Sequence, residues 1–180
     1  GYDGKIELAS TTNFTLQLGK EGVTAVETSA SKGIMGTKDI SFTSNSNTLR
    51  LAYDAGTAPI YVTNKINRTG SNNSRVNITG GADYIFTKNS TITDLTVDGG
   101  SIEFTSTWTT VNKVTLQGNV GLSSTVANNG ADRTVFKNLT STGQLTIGGQ
   151  VVLSGDISLA QSAVNNGTVY LNLNDGVSID

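Results

Sequence analysis

A chain with no histidine and no cysteine must do any acid–base chemistry with carboxylates. Histidine, the commonest general base and metal ligand, is missing. Without cysteine there is no disulfide and no thiolate metal site. The acidic candidates are Asp83, Asp94, Asp98 and Glu103. Two carboxylates flanking a glycosidic bond can cleave it, so a polysaccharide-active site is the enzymatic alternative. A plainer reading competes with it. Asp83 and Asp98 lie in turns, which suit Asp. Aligning Leu95 with Val114 sets Asp94 one repeat away from Lys113, an expected surface ion pair worth about 0–1 kcal/mol. The plainer reading is preferred, and no catalytic residue is expected.

Other chemistry is equally poorly supplied. The bends Asp98-Gly99-Gly100 and Gly148-Gly149-Gln150 lack a following helix and a Gly-Lys-Ser/Thr element, so they are not phosphate loops. Asp-rich calcium nonapeptides are missing. No metal and no cofactor is expected. Seven Asn-X-Ser/Thr sequons begin at Asn13, Asn67, Asn72, Asn77, Asn89, Asn138 and Asn166, several of them expected by chance in this composition.

Composition narrows the fold. Thr, Gly, Ser and Asn make up 84 of the 180 residues, and charged residues only 14%. Ordinary domains carry roughly 25% charge. Long helices need Ala, Leu, Glu, Lys and Arg; this chain favours β-branched and turn residues. The net charge of −2 comes with scattered Lys and Arg, so no basic stripe points to nucleic acid. No apolar run reaches the roughly 18 residues of a membrane helix.

The apolar residues recur as a strand of apolar–any–apolar, a small turn, and a second such strand. Leu95-Thr96-Val97 precedes Ile102-Glu103-Phe104, and Val114-Thr115-Leu116 precedes Val120-Gly121-Leu122. Leu145-Thr146-Ile147 precedes Val151-Val152-Leu153, and Leu171-Asn172-Leu173 precedes Val177-Ser178-Ile179. Looser copies start at Leu16, Leu49 and Val76 and lead to Val23-Thr24-Ala25, Ile60-Tyr61-Val62 and Tyr84-Ile85-Phe86. From one copy to the next the steps are 33, 27, 19, 19, 31 and 26 residues, a spread that loops of variable length would produce. Alternation at period two buries one face of each strand and wets the other. A repeat this short cannot bury its own apolar face and must stack on its neighbours.

Two architectures satisfy that need. In a β-sandwich or up-and-down barrel, consecutive strands pair as hairpins. In a parallel β-helix, each strand pairs with its equivalent one turn later. Three-residue strands make poor hairpins, and the motif keeps its register, so the β-helix is preferred. The apolar pairs are then expected to point inward, with Leu95, Val97, Ile102 and Phe104 stacked on Val114, Leu116, Val120 and Leu122.

The outward positions are where binding would occur. The middle residues of the first strands run Gln17, Arg50, Asn77, Thr96, Thr115, Thr146 and Asn172, all polar. Those of the second strands run Thr24, Tyr61, Ile85, Glu103, Gly121, Val152 and Ser178. Tyr61, Ile85 and Val152 are apolar where alternation predicts water. With Glu103 they form the candidate contact face, flanked by Arg50. Trp108 is expected at a corner. The inserts 29–38 and 123–132 are expected to project as loops.

The stretch Asn89-Ser90-Thr91-Ile92-Thr93-Asp94-Leu95-Thr96-Val97-Asp98-Gly99-Gly100-Ser101-Ile102-Glu103-Phe104 resembles the strand-turn-strand coils of classical bacterial autotransporter passengers, the pertactin-like or AIDA-like group. Val164 to Leu173 is similar to them too. The likeness is one of sequence style over most of the chain, and filamentous-haemagglutinin-like adhesins share it. It implies a right-handed parallel β-helix occupying residues 1–180 as one domain. It implies export through the outer membrane, display at the cell surface or secretion, and adhesion, auto-aggregation or biofilm formation; a structural spacer that lifts another domain of a surface protein away from the cell is the further alternative. The partner would be a host surface protein, a glycan or another copy. The missing cysteines suit a chain that crosses the outer membrane unfolded. The membrane barrel and the segment that usually precedes it are not in this sequence, and the chain opens at Gly1 without methionine. A piece of a longer solenoid is therefore expected, with its last strand, Val177-Ser178-Ile179, open or paired with another molecule. The Gly-Asp-Ser-Gly motif of the family's serine proteases is absent.

Overall fold

The computed structural model describes residues 4–25, 28–106, 109–126, 133–171 and 178–179. Among the described residues there is no helix; parallel sheets curl into a half-barrel.

The strands fall into three series. The first runs Phe14–Leu18, Asn47–Ala52, Arg75–Thr79, Asp94–Asp98 and Val114–Gln117. The second runs Ile60–Val62, Asp83–Phe86, Ser101–Phe104 and Val120–Ser124. Both continue into the long extended stretch Val135–Leu171, which bends at Asn138, Gly149 and Gly155, all with positive φ. Every pairing between named strands is parallel, and each strand lies beside its equivalent in the next copy. Asp94–Asp98 and Ser101–Phe104 are joined by a turn yet do not pair with each other. The hairpin alternative is excluded for these strands.

The expected register holds through the first five copies of the first series. Leu16 faces Leu49, Leu49 faces Val76, Val76 faces Leu95, and Leu95 faces Val114. It then departs from expectation. Val114-Thr115-Leu116 pairs with Leu139-Thr140-Ser141, while Leu145 and Ile147 pair with Val120 and Leu122 in the second series. The fifth step is therefore 25 residues, from Val114 to Leu139, not 31. A buried serine hides this strand: Ser141 occupies an inward position at 4% exposure, where the pattern predicts the second apolar residue. Its hydroxyl is satisfied by donating to the Gly143 carbonyl at 2.9 Å.

The second series also shifts. Ile102 faces Leu122 and Phe104 faces Ser124, not Val120 and Leu122 as expected. The corner after Leu116 is one residue longer than the corner after Val97, since Asp98 faces Gln117 but Ser101 faces Gly121. Val23 does not turn inward either; it is 36% exposed. The copy from Leu171 to Ile179 falls largely outside the described residues, although Asp156 and Ile157 pair with Ser178 and Ile179.

A third series completes the half-barrel. Ile6–Leu8, Ile40–Phe42 and Ile66–Arg68 pair in parallel. Thr91–Ile92 and Thr110–Val111 pair likewise, and Thr110 and Val111 pair onward with Val135 and Phe136. Ile92, Val111 and Phe136 lie three residues before the first-series residues Leu95, Val114 and Leu139 and are fully buried.

The core is continuous through the copies. Phe86 and Phe104 stack with centroids 5.2 Å apart, and Phe136 meets Phe104 edge-on at 5.5 Å. Tyr84 is 1% exposed, and its hydroxyl accepts from the Tyr53 N–H at 3.4 Å. Burial disfavours the phenolate and pushes its pKa up to about 12.

Buried polar side chains tie the corners together. The amide of Asn47 donates to the Leu8 and Ser10 carbonyls at 2.9 and 3.2 Å. Asn64 reaches the Lys38 carbonyl at 2.6 Å. Ser90 accepts from the Ile66 N–H at 3.0 Å, and Thr109 from the Ser90 N–H at 3.3 Å. These bonds satisfy backbone groups that would otherwise be stranded where strands end. Asn and Thr in this chain are thus partly core residues as well as turn residues.

Candidate functional site

Tyr61, Ile85 and Glu103 come together as expected. Tyr61 faces Ile85 and Ile85 faces Glu103 across adjacent parallel strands. All three are half-buried. Val152 does not join them. It is 2% exposed, inside a run of four buried residues from Val151 to Ser154. The register shift explains this: the column continues from Glu103 to Ser123 and Gly148. The apolar row is therefore a pair, Tyr61 and Ile85, with a carboxylate beside it.

The polar column of the first series is present too, with Thr140 in place of Thr146. It runs Gln17, Arg50, Asn77, Thr96, Thr115 and Thr140. Asn172 lies outside the described residues.

The four acidic candidates separate. Asp83 accepts a hydrogen bond from the Ser101 hydroxyl at 2.7 Å. Asp94 and Asp98 stand at opposite ends of one strand, roughly 13 Å apart at 3.3 Å per residue. Glu103 belongs to the Tyr61 column. Asp94 does adjoin Lys113 through the register, since the Leu95 N–H donates to the Lys113 carbonyl at 2.9 Å, but the two side chains close no ion pair. Asp94 instead faces Arg75 on the other side.

Asp98 has neighbours that the sequence did not single out. With Glu21 and Asp54 it lines a polar groove of about 640 Å³, together with Gln17, Arg50 and Thr79. The groove sits where the first series turns toward the second. Asp98 and Thr79 follow directly on the paired residues Val97 and Ile78, and Ala52 faces Thr79. Asp54 and Glu21 come from the corners beyond two strands, and the Gly22 N–H donates to Asp54 Oδ2 at 2.9 Å. Period-two reasoning assigns strand residues well but says nothing about which corner residues converge. Among the described residues, no group of three His, Cys, Asp or Glu is placed to hold a metal ion.

The inserts are less free than expected. The Ile34 N–H donates to the Tyr61 carbonyl at 3.0 Å, and Thr63 donates to the Gly36 carbonyl at 2.6 Å. Met35 is 4% exposed. The tight turn at Ser29–Lys32 stands clear, with exposed Ala30 and Ser31, and Thr37 and Lys38 are exposed as well. In the second insert, Ser123 and Ser124 are strand residues, Val126 is buried, and 127–132 lie outside the described residues. So does Trp108. At the Phe14 end, Ile6, Leu8, Leu16, Leu18 and Ile34 line an apolar cleft of about 520 Å³, and Phe14 is 46% exposed. Asn138 is a poor glycan acceptor. It holds a left-handed φ of 50°, donates to the Asn112 carbonyl at 3.0 Å and accepts from the Asp156 N–H at 3.2 Å.

Fold and surface define an all-β protein of parallel, stacked strands with polar outward columns. Compared with protein-family models, curated proteins and solved structures, the chain finds no match. No helix among the described residues is long and apolar enough to cross a membrane.

Proposed function

We propose that the chain is a segment of a right-handed parallel β-helix displayed on or secreted from a bacterial surface. It acts as an adhesin, binding a host protein, a glycan or another copy by surface contact. The observation that carries this reading is the unbroken outward column from Gln17 to Thr140, a repeated polar face on a stacked scaffold. The resemblance to autotransporter passengers supplies the cell-surface setting. Weak contacts repeated over many displayed copies give avidity without a tight single site.

The test is capture. Beads carrying the protein should aggregate or bind matrix-coated surfaces. The double substitution Tyr61→Ser, Ile85→Ser should lower capture severalfold at unchanged fold, because it removes the paired apolar side chains from an otherwise polar face. Unchanged capture would exclude that face; inert wild-type beads would count against adhesion itself.

A second reading has one observation in its favour. The groove gathers three carboxylates, and carboxylate pairs cleave glycosidic bonds. Release of reducing ends or unsaturated products from a polysaccharide would establish it.

A further inference from the structure

We propose that the groove lined by Gln17, Glu21, Arg50, Asp54, Thr79 and Asp98 is a binding site for a neutral glycan. The inference rests on the adhesin reading and names its ligand class. The volume of about 640 Å³ falls within the roughly 300–1,000 Å³ typical of ligand pockets.

The lining interleaves acceptors and donors. Glu21, Asp54 and Asp98 offer carboxylate oxygens, which accept hydrogen bonds from sugar hydroxyls. Arg50 offers a planar fork of N–H donors, and Gln17 and Thr79 can do either. The Gln17 amide donates to the Gly19 carbonyl at 2.9 Å, but the charged groups keep most of their capacity. Arg50 closes no ion pair with any of the three carboxylates among the described residues. Its Nη2 lies 3.5 Å from Thr79 Oγ1, the outer limit of a hydrogen bond. The Glu21 and Asp98 carboxylates accept no hydrogen bond from the described residues. Asp54 is oriented by the Gly22 N–H on one oxygen, which leaves the other open.

The spacing selects the ligand. The acids are too dispersed to enclose one metal ion. They suit a ligand whose donors are spread over several ångströms, as ring hydroxyls are. The excess of carboxylates over the single guanidinium repels uronate-bearing or sialylated chains. Arg50 presents N–H donors that a lysine side chain, itself donor-only, cannot accept from. A neutral sugar meets both kinds of partner without a charge conflict. The floor is a rigid parallel ladder, with Gln17 facing Arg50 and Ala52 facing Thr79, so little ordering accompanies binding.

The experiment is calorimetric titration of the whole chain with cellohexaose, mannohexaose and an N-acetylglucosamine hexamer. Hexagalacturonate and hexalysine serve as the acidic and basic probes. At least one neutral hexasaccharide should bind, and more tightly than either charged probe. Asp98→Asn and Arg50→Met should each weaken binding about tenfold or more, the usual effect of removing a hydrogen bond to a charged group. Both side chains are exposed, so the melting temperature should not move. Failure of all three neutral sugars, binding of hexalysine instead, or unchanged affinity in both variants would overturn the site. Sugar recovered intact fits the adhesin reading; cleaved sugar leaves the site standing and overturns that reading. The bead assay with the Tyr61 and Ile85 variant is independent, so failure of the groove does not masquerade as failure of adhesion.

Discussion

Phe104→Ala is expected to cost about 3–5 kcal/mol of folding stability, the usual range for emptying a buried aromatic site. Phe104 is fully buried and lies between Phe86 and Phe136, at 5.2 and 5.5 Å. The substitution removes two ring contacts and leaves a void between successive copies. Neighbours cannot close it easily, because each is pinned by its own parallel ladder. Urea denaturation followed by circular dichroism measures the loss. Thr96→Ala, on the outward column, is the control and should stay within about 0.5 kcal/mol of the parent. Equal effects at the two positions would contradict the inward and outward assignment of the strands.

Gly100→Ala should be nearly as damaging, for a different reason. Gly100 has φ of +72°, and an added methyl group would run into the Ala82 carbonyl of the preceding copy. On its other side the Gly100 carbonyl accepts from the Gly121 N–H at 2.9 Å. Three copies therefore meet at a residue that has no room for a side chain. Gly81 shares the left-handed backbone, with φ of +77°, but faces open space. Gly81→Ala should cost only the backbone strain, about 1–2 kcal/mol. Gly100→Ala adds overpacking of about 1–3 kcal/mol to that strain. Comparing the two denaturation midpoints isolates the closeness of stacking from the shape of the turn. Equal losses would mean that the copies do not approach as closely as described.

The parallel all-β character was legible in the residues. Leu95-Thr96-Val97 and Val114-Thr115-Leu116 carry the alternation and the register that they show in the fold. Polarity inside the core conceals the rest of the register. Ser141 and Ser124 occupy inward positions, so the strands that hold them do not match an apolar–any–apolar pattern. Leu145-Thr146-Ile147 does match it, yet belongs to the second series. A usable signal was present at Ile92, Val111 and Phe136. Each stands three residues ahead of Leu95, Val114 and Leu139, and together they mark both the third series and the correct register. Val152 illustrates the consequence, since its expected exposure depended on the mistaken series.

The candidate site was legible only where it lies on strands. Tyr61, Ile85 and Glu103 are neighbours because strand positions follow a period of two. The groove joins Gln17, Arg50 and Thr79 on strands to Glu21 and Asp54 at corners. Corner lengths differ from copy to copy, so no spacing in the sequence announces that convergence.

The central claim is that successive copies stack by one strand spacing, presenting aligned outward columns along the chain. Distance measurement between spin labels at Arg50 and Thr140 tests it most directly. The two positions are four ladder steps apart, through Asn77, Thr96 and Thr115. At 4.7–4.9 Å per step, stacking predicts a single narrow distance of about 19 Å between backbones separated by 90 residues of sequence. A distance well beyond about 30 Å, or a broad distribution, would contradict the stacked fold and the surface on which the proposed binding depends.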